Sequence, residues 1–164
     1  MKFAMMGSGG VGGYFGGRLA ASGHHITFIA RGDHLAAIKA TGLKIESGLG
    51  DVIIHPADAT DDPDQPGVMD YVVIGVKLGH TEAAARAIQP LVGPETTVIS
   101  LQNGVVAEDI LTEILGREHV IGGMAQIASS ISYPGVISHL GTMQRVVIGE
   151  LSGAISPRVE ALRN

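Results

Sequence analysis

An α/β fold on a doubly wound, mostly parallel sheet is what this sequence predicts, and three observations carry the expectation. The chain opens with a short apolar run, Lys2 to Met6, followed at once by a glycine-rich turn and a helical pattern from Tyr14 to Ala21. Further on, Tyr71 to Val76 and Thr97 to Leu101 are continuous apolar runs, the mark of strands buried on both faces of a parallel sheet. Helical stretches of about eleven residues separate such runs, the alternation that builds βαβ units.

The elements follow in order. After the first helix, Ser22-Gly23-His24 reads as a turn and His25 to Ala30 as a β-branched, apolar second strand. His34 to Ala40 is helical, with Asp33 as its N-cap. Leu43 to Glu46 and Val52 to His55 form a hairpin across Ser47-Gly48-Leu49-Gly50. The acidic, proline-containing stretch from Asp58 to Gly67 reads as a solvated connection; its spacing does not fit a calcium loop. Thr81 to Leu91 is an alanine-rich helix, Val105 to Leu115 another, and Val120 to Gly122 a further strand. The pattern then changes: Ala125 to Ser132 is small and polar, Pro134-Gly135 is a turn, and Val136 to His139 and Val146 to Ile148 alternate as antiparallel strands. Ser156-Pro157 starts a last helix.

Composition narrows the function. The 164 residues suffice for one domain with a substantial core, and one domain over residues 1–164 is the expectation. Charged residues make up only 16% against 45% hydrophobic, which points to apolar surface covered by another domain or subunit. The net charge of -5, with no lysine or arginine run, argues against a nucleic acid or an anionic membrane as partner. No cysteine is present, which excludes disulfides, thiolate nucleophiles and cysteine-ligated metals. No apolar run approaches the roughly 18 residues of a membrane helix, and Met1 to Met6 is too short for a signal-peptide core, so a cytoplasmic location is expected. None of the seven histidines shows a metal-ligand spacing, and each reads as a loop or strand-surface residue. No metal is expected.

The candidate site begins at the turn. Gly7, Gly9 and Gly12 fall on G-x-G-x-x-G between a strand and a helix, the fingerprint of a dinucleotide-binding, Rossmann-type domain. Gly7 permits the tight turn, Gly9 lets the backbone approach a pyrophosphate, and Gly12 allows close packing of the helix. The helix's N-terminal N–H groups and positive dipole end then face the phosphates, which makes Ser8, Gly10 and Val11, with the three glycines, the cofactor-binding candidates. In such a sheet ligands lie beyond the carboxyl ends of the strands, which makes Arg31, Lys77 and Asn103 with Gly104 the other candidates. A site for NAD places an acidic residue at the end of the second strand; here Arg31 stands there, and its planar fork suits a 2′-phosphate, favouring NADP(H). A solvated loop arginine is the plainer alternative, and Asp33 could serve as the acidic residue, although its place before a helix suits capping. Lys77 orients a substrate carboxylate or carbonyl, or is a surface lysine. Asn103 hydrogen-bonds a ribose or carboxamide, or caps its own Asn-Gly turn.

This combination resembles the ketopantoate reductase family, 2-dehydropantoate 2-reductases. The resemblance rests on the glycine motif, Ala30-Arg31-Gly32, Gly75-Val76-Lys77, Leu101-Gln102-Asn103-Gly104, and Pro134 to His139 leading to Ile148-Gly149-Glu150. It covers essentially the whole chain, but only the family's N-terminal domain. It implies NADPH as cofactor and reduction of ketopantoate, a 2-oxo acid, to pantoate on the route to pantothenate and coenzyme A. Gly7 to Gly12 would hold the pyrophosphate, Arg31 the 2′-phosphate, Lys77 and Asn103 the nicotinamide and substrate end, and Ala128 would touch the cofactor through its backbone. The family's second, all-helical domain supplies a general-acid lysine within Trp-x-Lys-x-x-x-Asn; with no tryptophan here, that lysine is expected outside residues 1–164. The missing helical domain and the small-molecule substrate are the expected partners, and a homodimer is compatible. A non-catalytic dinucleotide-sensing module and a reductase of another 2-oxo acid are the alternatives.

Overall fold

The computed structural model describes residues 1–163. Its spine is a run of parallel strands: β1 (Lys2–Met6), β2 (His25–Ile29), β5 (Asp58–Thr60), β6 (Tyr71–Ile74), β7 (Thr97–Ser100) and the start of β8 (Val120–Tyr133). Their order is β5-β2-β1-β6-β7-β8, so the chain reverses direction across the sheet between β1 and β6. The crevice beyond the carboxyl ends of strands at such a reversal is where doubly wound folds bind ligands.

Alternation along each strand builds two cores. Phe3 and Met5 point to one face with Val73 and Ile99, where α1 (Gly10–Ala21) and α5 (Pro157–Arg163) cover them through residues such as Tyr14 and Val159. Ala4 and Met6 point to the other with Val72, Ile74 and Val98, beneath α3 (Thr81–Ala87) and α4 (Val106–Leu115). Because both faces are covered, the strands carry no polar alternation. α2 (Gly32–Thr41) packs Leu35 and Ile38 into the first core. Among the described residues, no helix is long and apolar enough to cross a membrane.

The C-terminal half of the sheet departs most from the sequence expectation. β8 does not stop at Gly122 but runs on through the small, polar residues 125–132, and the two strands expected over residues 136–139 and 146–148 are one. β8 and β9 (Val136–Gly149) are strands of 14 residues each, paired antiparallel with a register shift between Ile127 and Ser129. Most of this ladder is exposed or half-buried, so it carries no apolar signature; backbone hydrogen bonds define it. At its far end β9 pairs in parallel with β3 (Leu43–Ser47), which forms the expected hairpin with β4 (Val52–Ile54). The nine-stranded sheet, β4-β3-β9-β8-β7-β6-β1-β2-β5, thus curls around α1.

Smaller corrections share one cause, short local context. Asp58 to Thr60 is a strand, held by Thr27 Oγ1 donating to Asp58 Oδ2 at 2.7 Å and by Ala30 N–H on the Thr60 carbonyl. α1 begins at Gly10, before Tyr14. α2 begins at Gly32, so Arg31 takes the N-cap position and Asp33 lies inside the first turn. α3 ends at Ala87, since Pro90 has no N–H for a further turn and Gln89–Leu91 is a 3-10 turn. His139 is not on the surface. It is buried, accepting from Ser47 Oγ at Nδ1 (2.8 Å) and donating from Nε2 to the Met143 carbonyl (2.9 Å).

The start of α5 is fixed by charge. Arg158 grips Glu150 at the end of β9 with Nε and Nη2, at 2.6 and 2.7 Å, and Ser156 Oγ donates to the same carboxylate at 2.6 Å. These donors, Arg158 first, lower the Glu150 pKa to about 2. The folded value lies below the ordinary 4.5, so the stabilisation is full above about pH 4.5 and is lost as pH falls toward 2. Glu150→Gln is expected to cost about 1–2 kcal/mol at pH 7 in urea denaturation, with a difference from the parent that narrows steadily below pH 4.5. A difference constant down to pH 3 would contradict this account.

Candidate functional site

The glycine turn leaves β1 at Gly7, whose φ of +93° lies in the left-handed region that favours glycine. The Gly7 and Ser8 N–H groups both donate to the Ile29 carbonyl at 3.2 and 3.1 Å, tying the turn to the end of β2. The Ser8 side chain points inward, its hydroxyl within 3.2 Å of the Met5 and Ile29 carbonyls, so only its backbone faces the crevice. α1 follows with Gly9 at its N-cap and no side chain capping it. The first N–H groups of this 12-residue helix and the positive end of its dipole therefore face outward.

The fingerprint glycines separate by what surrounds them. A Cβ at Gly12 would lie 2.2 Å from the Gly7 carbonyl oxygen, so the protein itself requires that glycine; the contact is with the turn, not with the sheet. A Cβ at Gly9 would meet no heavy atom within 4 Å. Nothing in the fold calls for glycine there, whereas a phosphate drawn to the uncapped N–H groups does. The residues present fit a pyrophosphate.

A cavity of about 310 Å³ opens on this turn, lined by Gly7, Ser8, Gly9, Arg31, His34 and His80, with Ile131 of β8 at one side. Arg31 stands two residues beyond the end of β2, is exposed, and its guanidinium has no partner among the described residues. His34 is half-buried between the Ser8 carbonyl and the Gly135 N–H, a position that no spacing in the sequence announces. Gly10, Val11 and Gly12 belong to the first turn of α1 and do not line this cavity. Ala128 is exposed on β8 at the register shift and lines neither this cavity nor the groove described next.

The other candidates stand on neighbouring loops. Asn103 and Gly104 follow β7 and line a groove of about 870 Å³ with Gly122, Gly123, Met124 and Val147. The Asn103 side chain makes no hydrogen bond to its own turn, so the capping alternative is not what the structure displays. Lys77 is exposed on the loop after β6 and carries no ion pair among the described residues. The residue that joins the two loops is Gln102, which sequence reasoning quoted without a role. Its buried carboxamide donates to the Val76 carbonyl at 2.8 Å and to Thr81 Oγ1 at 2.9 Å, and Thr81 donates in turn to the Leu78 carbonyl at 2.7 Å. A glutamine between a buried leucine and an exposed asparagine was the available signal.

A family model described as ketopantoate reductase PanE/ApbA matches residues 3–153. The 2-dehydropantoate 2-reductase of Mesorhizobium japonicum is 33% identical over 183 residues, covering 99% of this chain and 56% of its own length. The crystal structure of 2-dehydropantoate 2-reductase from Geobacter metallireducens superposes with a TM-score of 0.92 at 34% identity, covering 99% of this chain and 53% of that one. A D-mandelate dehydrogenase in complex with NADH has a TM-score of 0.80 at 25% identity, covering 93% and 48%. The chain spans about half the length of the curated relatives it matches.

The two fingerprint glycines are expected to respond oppositely to one added methyl group. Gly12→Ala drives Cβ into backbone and should cost about 2 kcal/mol or more, whereas Gly9→Ala should cost less than about 1 kcal/mol. Urea denaturation of both variants tests this, and equal losses would remove the distinction.

Proposed function

The chain belongs to the PanE/ApbA ketopantoate reductase family, and from that premise we propose that it is the NADPH-binding domain of a two-domain 2-dehydropantoate 2-reductase. The carrying observation is that one cavity is lined both by Gly9, the glycine N-cap of α1 that the fold does not itself require, and by Arg31, an arginine just beyond β2 with no partner among the described residues. The N–H groups from Gly9 onward take the pyrophosphate. Arg31 takes the 2′-phosphate, a dianion that its guanidinium can grip through two parallel donors. Lys77 and Asn103, held in register by Gln102, bind the polar groups of the nicotinamide and of the substrate's carboxylate and carbonyl. When bound, the reduced nicotinamide supplies a hydride to a ketone carbon. The proton for the ketone oxygen comes from a lysine in the second domain, which the resemblance to the family implies.

The cofactor half constrains cofactor more firmly than substrate. A second reading, reduction of a different 2-oxo acid, is favoured by the likeness to a D-mandelate dehydrogenase, an enzyme of a 2-hydroxy acid crystallised with NADH.

Fluorescence titration of the chain with NADPH and with NADH tests the proposal. NADPH should bind about 10–100-fold more tightly, and Arg31→Ala should abolish that preference while leaving NADH affinity within about threefold. Equal affinities in the parent chain would remove the role of Arg31 and favour an NAD enzyme.

A further inference from the structure

Two loops far apart in sequence, the glycine turn and the turn at Pro134-Gly135, meet on one side chain. The Gly135 N–H donates to His34 Nδ1 at 3.0 Å. That nitrogen is therefore the unprotonated one, and Nε2 carries the proton, which it donates to the Ser8 carbonyl at 2.8 Å. The accepting end is firmly anchored. Gly135 is buried, its built Cβ would lie 3.1 Å from Ala37 of α2, and its carbonyl accepts from the Lys44 N–H of β3 at 2.9 Å.

The donating end acts on the peptide that matters. The Ser8 carbonyl and the Gly9 N–H belong to one planar trans peptide and point in opposite directions. The Ser8 N–H and hydroxyl are already committed to β1 and β2, and the Gly9 N–H has no acceptor among the described residues. Whatever holds the Ser8 carbonyl therefore aims the Gly9 N–H. We propose that His34 is a positioning residue of the phosphate turn, fixing the Ser8–Gly9 peptide so that its N–H is presented to the dinucleotide pyrophosphate. The inference rests on the dinucleotide reading of the crevice. With both ring nitrogens engaged, His34 has no donor left for a ligand. It acts through the backbone and differs in this from Arg31, the discriminating cation on the same wall; His80 is the remaining titratable group lining the cavity.

The test uses three variants of the chain: His34→Gln, whose amide N–H reaches where Nε2 does; His34→Asn, whose carbonyl replaces only Nδ1; and His34→Ala. Asn and Ala should weaken NADPH and NADH in parallel by about tenfold, the size of one misdirected hydrogen bond, and Gln should return both to within about threefold. In the ligand-free chain the Gly9 amide resonance should move in the Asn variant and stay near its parent position in the Gln variant. Parent-like affinity in His34→Ala, a changed NADPH to NADH ratio, or rescue by Asn and not by Gln would overturn the inference. If His34→Ala fails to fold, the Gln and Asn pair, each keeping one hydrogen bond, decides alone. Binding of neither nucleotide by the parent chain would instead overturn the dinucleotide reading, and with it the role given to His34.

Discussion

The architecture depends on how closely α1 is enclosed. Parallel strands lie under it and the curled extension of β3, β8 and β9 lies over it, and glycines meet both walls. A Cβ at Gly16 would press within 2.7 Å of Met5 and 2.8 Å of Phe28; one at Gly17 would come within 2.5 Å of Ile45; one at Gly10 would lie 2.3 Å from the Ser129 carbonyl oxygen. Each helical glycine costs up to about 1 kcal/mol relative to alanine, so a helix with this many must recover the loss by packing. It does so by bringing its N-terminus against the end of β1, where the phosphate turn is built. The N-cap of α1 is Gly9, which has no side chain to offer, and the outward N–H groups are the consequence.

The long β8–β9 hairpin serves that enclosure. Its exposed middle contributes little apolar burial, but its ends do positional work. Ser129 closes over Gly10, Ile137 enters the first core, His139 ties β9 to Ser47, and Gly135 meets His34. Tyr14 of α1 extends the same tie, its hydroxyl donating to Gln144 and its ring lying 4.6 Å from His139. The polar ties among these join residues 92 to 130 apart in sequence, the pairing of His34 with Gly135 included.

That explains what was legible in the sequence. Strands buried on both faces announce themselves as apolar runs, so β1, β2, β6 and β7 were readable, and so was the glycine turn, because its spacing reflects local backbone geometry. β5 was hidden by its length, three residues in an acidic stretch; of the hairpin, the alternating ends of β9 were readable, whereas its exposed middle and residues 125–132 of β8 carry no period that marks a strand. The helix boundaries slipped because neither Gly9 nor Arg31, the two N-cap residues, carries a capping side chain. Of the site, Arg31, Lys77 and Asn103 could be nominated from their places after strands. His34 and Gln102 could not be given roles, since what distinguishes them is a partner on another loop.

The crevice orders its groups by rigidity. The phosphate end is held by backbone: a turn bonded to β2, a helix pinned against it, and a carbonyl gripped by an anchored histidine. The neighbouring loops offer exposed side chains, Lys77 and Asn103, and Gln102 braces one loop against the other. A preorganised donor loses less freedom on binding than a side chain that must be immobilised. Exposed polar groups such as Asn103 on an open groove suit contacts completed only when something else covers that groove. Met124, Val147 and Leu151, all exposed on its wall, are apolar residues of the kind such a cover buries. The fold thus fixes the glycine-turn end of the crevice within itself and leaves the groove beside Asn103 open.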